Sequence, residues 1–353
     1  MAPESEVNEK VVSPLRILSL QSHVIRGYVG NRAAAFPLQR LGHHVDTIDS
    51  VSFASMYIHE GFSRSGDDLN ILLEGILKAF FKPTGGGHPG AKVDGIGSFI
   101  GMPNEGVTTR IAAANIGLDY THVLTGYIGD PSFLANVIEI VAGLKNPVSA
   151  HGNRKAQIPL WLCDPVLGDN DKLYVSEELL AIYKQRALPY ADIITPNQFE
   201  AQWLSGIKIQ NLQDARACIN KLHDAGPQVV IITSTSVVDD PGYLYLIASQ
   251  RAGCHNGSIS NSSNSGSSNS AVSIRFKDRK VFLGGTGDLM SALLLHSLQK
   301  FSLAKACEVA LSTVQAIMEH TLAAKEPMET IDVIGGQNYI ENPPLPYTAK
   351  EFV

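Results

Sequence analysis

Short apolar runs recur along the chain at "LRILSL", "HHVDTIDSV", "HVLTGY", "IPLWLCDPV", "ADIITP" and "QVVIITS", each bounded by polar or turn-forming residues. Runs of this length and setting predict β-strands, and amphipathic or apolar helical patterns lie between several of them. Strands alternating with helices predict an α/β architecture, a central and mostly parallel sheet covered by helices. The strands end on chemically loaded residues, "SLQS", "LTGY", "LCDP", "IITP" and "IITS". Open parallel sheets collect ligands at the carboxyl ends of their strands, so the pattern places function along one rim.

Two segments interrupt the alternation. Residues 82–109 are rich in Gly and Pro without a helical or strand period and read as an inserted loop. The polar tract from Asn256 to Ala271, within an insert spanning about 254–272, cannot bury enough apolar area to offset its ordering entropy, and disorder is expected there. Strand and helix signals resume after each insert, and no internal repeat is evident. The chain therefore reads as a loose tail over 1–14 and one domain over 15–353.

Composition narrows the function. The chain has 353 residues, 44% of them hydrophobic, enough to bury a large core. Its formal net charge is −6 and it has no long basic run, which argues against a nucleic-acid surface and in favour of small-molecule partners. Cys163, Cys218, Cys254 and Cys307 are widely spaced, as expected of reduced thiols in the cytoplasm, and imply no zinc site. No signal-peptide core and no membrane-length apolar run is present, so neither secretion nor a membrane partner is expected.

The chemistry concentrates in "GGTGDLMSALLLHSL", where three glycines and Asp288 precede a long apolar run. An aspartate there also reads as a helix N-cap. Gly285, Thr286 and Gly287 let the backbone approach a ligand and turn N–H groups inward, while a helix starting near Leu289 directs its positive end at the same spot. Such a nest suits the spread negative charge of a phosphoryl group in flight, and Asp288, held ionised by the same dipole, can accept the proton of an attacking alcohol. Gly85, Gly87 and Gly90 match GxGxxG by spacing, but no strand precedes them and no helix follows, and no Walker-type loop exists anywhere.

Three further clusters sit at predicted strand ends. In "LCDPVLGD", Asp164 and Asp169 flank a turn and can hold Mg²⁺, with an Asx-stabilised turn as the lesser alternative. In "ADIITPNQFEA", Thr195 reads as an N-cap, with Pro196 at the first helical position and Gln198 completing a capping box. Asn197 and Glu200 then share a helix face and are free to address phosphate and metal-bound water. In "VVIITSTS", Thr233 and Ser234 offer hydroxyl and backbone ligands.

Taken in order, "LSLQSHVIRGYVGNRAAAFPLQRLG", "VLTGYIGDPSFL", "CDPVLGD", "ADIITPNQFEA", "VVIITS" and "GTGDLMSALLL" resemble the ribokinase-like superfamily, and within it the branch of vitamin B6 kinases. The resemblance implies a three-layer α/β/α fold and ATP-dependent phosphorylation of the hydroxymethyl group of pyridoxal, with pyridoxine and pyridoxamine as further substrates. It assigns Asp288 as the base, with Gly285, Thr286 and Gly287 as the anion hole. Ser22 faces the pyridine ring and Tyr127 walls it. Asp164, Asn197, Glu200, Thr233, Ser234 and Thr286 contact the nucleotide. Asp169 and Glu200 serve Mg²⁺ or another divalent ion, and Asp164, Thr195 and Thr233 a K⁺ or Na⁺ ion. It further implies a homodimer with a complete site in each subunit.

One stretch departs from the branch. Its members carry a segment like "SNHTGY" after the second strand, whose Thr faces the vitamin, whereas this chain reads "SVSFASMYIHEGF" there, leaving Ser55 as the candidate hydroxyl. The link after "CDPVLGD" is also short. Two alternatives follow, a kinase for hydroxymethylpyrimidine in the same superfamily and a non-catalytic vitamin-binding homologue. The retained Asp288, Asp169, Asn197 and Glu200 argue against the second.

Overall fold

A computed structural model describes residues 13–80, 120–145, 158–252, 254–255, 258–259, 270–325 and 328–352. The tail over 1–12, the glycine-rich insert with its GxGxxG spacing, and residues 256–257 and 260–269 of the polar tract lie outside the described residues.

The strands are β1 (Arg16–Val24), β2 (His44–Phe53), β3 (Gly61–Ser63), β4 (His122–Thr125), β5 (Leu160–Cys163), β6 (Gly168–Asp169), β7 (Lys172–Leu173), β8 (Ile193–Ile194), β9 (Val229–Thr235), β10 (Tyr243–Gln250), β11 (Cys254–His255), β12 (Ser258–Ile259), β13 (Ser270–Lys277) and β14 (Lys350–Glu351). Ten of them form one sheet in the order β14-β13-β10-β9-β8-β5-β4-β1-β2-β3. The six from β9 to β2 pair in parallel, while β10, β13 and β14 on one side and β3 on the other pair antiparallel.

Period-two alternation along the central strands divides the core. Leu18, Val123, Trp161 and Ile232 face one apolar layer with Leu69, Leu73, Phe133, Val137 and Ile219 from the helices Gly66–Phe80, Pro131–Lys145 and Leu212–Asp224. Their neighbours Ile17, Leu124, Leu162 and Ile231 face the other, with Leu38, Leu293 and Val314 from Asn31–Arg40, Thr286–Lys300 and Leu303–Leu322. Burial on both faces is what keeps central parallel strands apolar throughout, and it gives the three-layer α/β/α fold.

The expected polar tract ends earlier than Ala271. Ser270 and Ala271 open β13 and pair with Gln250 and Ser249 of β10, because an antiparallel ladder satisfies their backbone groups. Cys254 and His255 likewise pair with Ile259 and Ser258.

Candidate active site

The helix expected near Leu289 starts earlier, at Thr286, with Gly285 as its N-cap. Asp288 is therefore the third residue of the first turn, and its half-buried carboxylate accepts a 2.7 Å hydrogen bond at Oδ2 from the N–H of Gly30. Gly30 is itself the N-cap of Asn31–Arg40, so two helix N-termini converge on one carboxylate. Backbone geometry requires glycine at both caps. Gly30 has φ 54° and a Cβ there would stand 2.0 Å from the Ser22 carbonyl oxygen, while Gly285 has φ 85° and a Cβ would stand 2.0 Å from that of Tyr28. Gly287 is open, with only Asp164 Oδ2 within 4 Å of where a Cβ would be, at 3.9 Å. Thr286 turns its hydroxyl back to the Leu283 carbonyl at 3.2 Å, and as first-turn residues Thr286 and Gly287 have no intrahelical acceptor for their N–H groups.

Burial pushes the Asp288 carboxyl above the ordinary carboxylate range, outweighing the lowering effect of the Gly30 N–H. The expectation that the dipole simply holds it ionised is corrected accordingly: desolvation dominates, and a carboxylate raised in this way is the stronger proton acceptor.

Asp164 follows β5, buried, and accepts a 2.9 Å hydrogen bond from Ser291 Oγ at Oδ2. Thr195 Oγ1 lies 2.8 Å from the same Ser291 oxygen, and because the serine proton is committed to Asp164, Thr195 is the donor. Burial first, then repulsion from Asp288, raises the Asp164 carboxyl. Cys163 beside it is fully buried with its thiol pushed up to about 12, which makes it inert.

The stretch after β8 folds differently from its expected capping. The N-cap of Gln198–Ser205 is Asn197, whose side chain accepts from Glu200 N at 2.9 Å while Glu200 Oε2 accepts from Asn197 N at 2.8 Å, a complete capping box. Thr195 is not the cap, because its hydroxyl is drawn to Ser291, and Gln198 instead bonds the Ile209 carbonyl and Ser236. Nor is the Asn197–Glu200 pair free of structural work. Glu200 Oε1 accepts from Leu167 N at 3.0 Å and Asn197 Nδ2 donates to the Gly168 carbonyl at 2.8 Å. Together they fasten the β6–β7 hairpin, whose turn residues Asn170 and Asp171 have φ 48° and 58° and whose Asp169 accepts from Asn170 N at 2.7 Å. Burial, then repulsion from Asp164, raises the Glu200 carboxyl well above its usual range. At the end of β9, half-buried Thr233 donates its N–H to the Pro196 carbonyl at 2.9 Å, and Ser234 follows it, half-buried.

The other half of the rim is formed by β4, β1 and β2. Buried Ser22 lies under Gly30, and half-buried Tyr127, whose phenol is raised by burial, has its carbonyl bonded by Ser50 Oγ at 2.6 Å. Ser55 does not offer a free hydroxyl oxygen to this half: it accepts from Tyr57 N at 3.3 Å and Ile58 N at 3.1 Å within its own turn.

The structure thus brings Asp288, Gly285, Thr286, Gly287, Asp164 and Thr195 together, and joins Asn197 and Glu200 to the hairpin that carries Asp169. Among the described residues, no three His, Cys, Asp or Glu side chains already converge as a metal cage. Two residues absent from the sequence reading complete the centre. Gly30 was signalled by its place in "GYVGN" before a helix, and Ser291 by its spacing three residues after Asp288. The assembly presents amide donors to an anion and a basic carboxylate beside them, the parts needed to pass a phosphoryl group to an alcohol.

The family model for phosphomethylpyrimidine kinase matches residues 101–332. Pyridoxal kinase of Arabidopsis thaliana is 36% identical over 96% of this chain and 94% of its own, and that of Homo sapiens 38% identical over 87% and 85%. Among solved structures, the Plasmodium falciparum protein with AMP-PNP and PL superposes with a TM-score of 0.74 at 27% identity, covering 96% of this chain and 99% of that one. Pyridoxal kinase from Leishmania donovani with ADP and pyridoxamine gives 0.74 at 26% identity, covering 95% and 99%.

Proposed function

The chain belongs to the pyridoxal kinase family, and from that premise we propose that it transfers the γ-phosphoryl group of ATP to the 5′-hydroxymethyl oxygen of pyridoxal, with Asp288 as the base. The alcohol oxygen forms the new bond to phosphorus, the bond to the β-phosphate oxygen breaks, ADP departs, and the alcohol proton passes to Asp288. The observation that carries this reading is the Asp288 carboxylate, raised by burial and held 2.7 Å from Gly30 N where two helix N-termini meet. The N–H groups of Gly285, Thr286 and Gly287 take the charge of the moving phosphoryl group in a site that needs no reorganisation to do so.

The rim divides the substrates. Ser22 and Tyr127, on the β4–β1 half, receive the pyridine ring, while Asp164, Asn197, Glu200, Thr233, Ser234 and Thr286, on the β5–β8–β9 half, hold the nucleotide. Solved relatives bind both kinds of ligand: AMP-PNP with PL in one, and ADP with pyridoxamine or with pyridoxine in others. Pyridoxine and pyridoxamine are accordingly further acceptors.

Two buried carboxylates, Asp164 raised by burial and by Asp288 and Glu200 raised by burial and by Asp164, form a donor set suited to cations. Asp169 and Glu200 would serve Mg²⁺, through bound water where the side chains do not themselves meet, and Asp164, Thr195 and Thr233 a K⁺ or Na⁺ ion. These ions would supply neutralisation of phosphate charge. Glu200 already spends both oxygens on backbone N–H groups, so its share is to fix the hairpin bearing Asp169 and to meet the ion through remaining lone pairs or water. Every site residue named comes from one chain, so a homodimer would carry a complete site in each subunit. Among the described residues, no helix is long and apolar enough to cross a membrane. A cytoplasmic location remains our proposal, on the wide spacing of the four cysteines.

A coupled assay of ADP release with pyridoxal, with and without K⁺, tests the reading, with hydroxymethylpyrimidine as comparator. ADP and pyridoxal phosphate should form in equal amounts. Turnover of the pyrimidine alcohol alone would reassign the acceptor. Pyridoxal binding without ADP from any vitamer would mark a binding protein.

A further inference from the structure

The β2–β3 hairpin is a feature of this chain that the roles above leave unused. It turns over residues 54–60, closed by Ala54 N to the Glu60 carbonyl at 3.0 Å and Ser55 N to the Ile58 carbonyl at 3.1 Å. The His59 ring stacks on Phe53 with centroids 5.0 Å apart, and its Nε2 lies 3.0 Å from the Met56 carbonyl. The tip is thus tied by its own hydrogen bonds and a ring stack, with its hydroxyl turned inward on its own turn and a thioether turned elsewhere. Met56 Sδ stands 2.1 Å, and its Cε 3.0 Å, from the point a Cβ on Gly284 would occupy, with Val29 Cγ1 3.2 Å from the same point. Gly284 leads directly into the anion loop and Val29 into Gly30, the donor to Asp288. The thioether therefore sits in a seat made by the two loops that create the reacting centre.

We propose that Met56 is a specificity-determining residue: its thioether, seated against Gly284 and Val29, forms the wall of the acceptor pocket on which the flat ring of an aromatic alcohol rests while its hydroxyl meets Asp288. This rests on the kinase reading above. The sheet order places it on the acceptor side, because β2 and β3 lie beyond β1 on the half of the rim that holds Ser22 and Tyr127, away from Thr233 and Ser234. The chemistry fits the placement: sulfur against an aromatic ring is a favourable, adaptable contact, and the flexible methionine accommodates rings bearing different substituents. Gly284 has no side chain because the thioether fills that volume.

Two substitutions approach the seat from opposite sides. Met56→Ala removes the thioether. Gly284→Ala, at a backbone conformation open to any residue, inserts a methyl group that displaces it. Each should raise KM for pyridoxal on the order of 3- to 10-fold with KM for ATP within about 2-fold, as expected for loss of one sulfur–aromatic contact. The double variant should be no worse than the worse single variant, since both remove the same contact. Parent protein inactive on pyridoxal would overturn the kinase reading itself. With an active parent, unchanged KM for pyridoxal in Met56→Ala, equal rises for both substrates, or additive losses in the double variant would overturn the role of Met56.

Discussion

Asp288→Asn separates the charge of the base from its shape. The amide keeps an oxygen to accept the Gly30 N–H that now reaches Oδ2 at 2.7 Å, so the two helix N-termini stay in place. What disappears is the proton acceptor. Removing a general base costs on the order of 10²- to 10⁴-fold, or about 3 to 5 kcal/mol on the barrier, and the loss falls on kcat because the alcohol proton moves only in the transition state. KM for ATP should hold within about 2-fold, since the anion nest is backbone. A second consequence has the opposite sign. Asp288 is among the causes that raise the buried Asp164 carboxyl, so neutralising it relieves a like-charge repulsion in the folded state. Relief of even one pKa unit is worth about 1.4 kcal/mol at pH values where Asp164 ionises in the unfolded chain. Asp288→Asn should therefore be nearly dead and more stable than the parent, measured by coupled ADP release and by denaturant melts at pH 8. Turnover within about threefold of the parent would refute the base assignment. A midpoint below the parent's would refute the electrostatic argument.

Gly30→Ala should lower both activity and melting temperature, because φ 54° and a Cβ 2.0 Å from the Ser22 carbonyl oxygen force the loop to move off Asp288; strain of this kind costs about 1 to 3 kcal/mol, read by thermal melts. Glu200→Gln replaces one of the two oxygens that accept from Leu167 N and Asn197 N by an NH₂ group, so we expect a loss of about 1 to 3 kcal/mol in stability and a raised KM for ATP with KM for pyridoxal unchanged in steady-state kinetics. His43 and His296, bonded at 2.7 Å and buried, are lowered from 6.5 to about 4 and about 3, chiefly by desolvation. The unfolded chain then binds more protons than the folded one between those values and 6.5, so urea midpoints should fall as pH drops through that window, and fall less steeply in His296→Asn.

The parallel heart of the fold was legible because its strands are buried on both faces and read as unbroken apolar runs, of which "VVIIT" is the plainest case. Its antiparallel margins were not. Strand β13 begins inside the Ser and Asn tract, where only pairing with β10 distinguishes Ser270 and Ala271 from the loop before them. The capping of "TPNQFE" shows a sharper limit, since two capping boxes overlap there, Thr195 with Gln198 and Asn197 with Glu200, and local chemistry permits both. A hydroxyl 96 residues away decides between them, by taking Thr195 into the chain that ends on Asp164. Asp288 and its glycines could be found from composition at a helix start. The Gly30 N–H that holds Asp288 comes from 258 residues earlier in the chain, a partnership that no local pattern encodes.

The electrostatics of the rim explain why a nucleotide would need company there. Burial lifts Asp288, Asp164 and Glu200 above the usual carboxylate range, with repulsion from Asp288 adding to the rise at Asp164 and repulsion from Asp164 to that at Glu200. A bare triphosphate approaching them meets negative charge, and the N–H nest of Gly285, Thr286 and Gly287 with one helix terminus carries only about half an elementary charge. The nest can orient a phosphoryl group but cannot balance it. Cation-bearing ATP would resolve the conflict from both sides, since the same positive charge would screen the phosphates and satisfy Asp164. On the proposed reading, the carboxylates that weaken the unliganded fold would be the groups that make it discriminate complexed from free nucleotide, and Asp288 gains its proton affinity from the same burial.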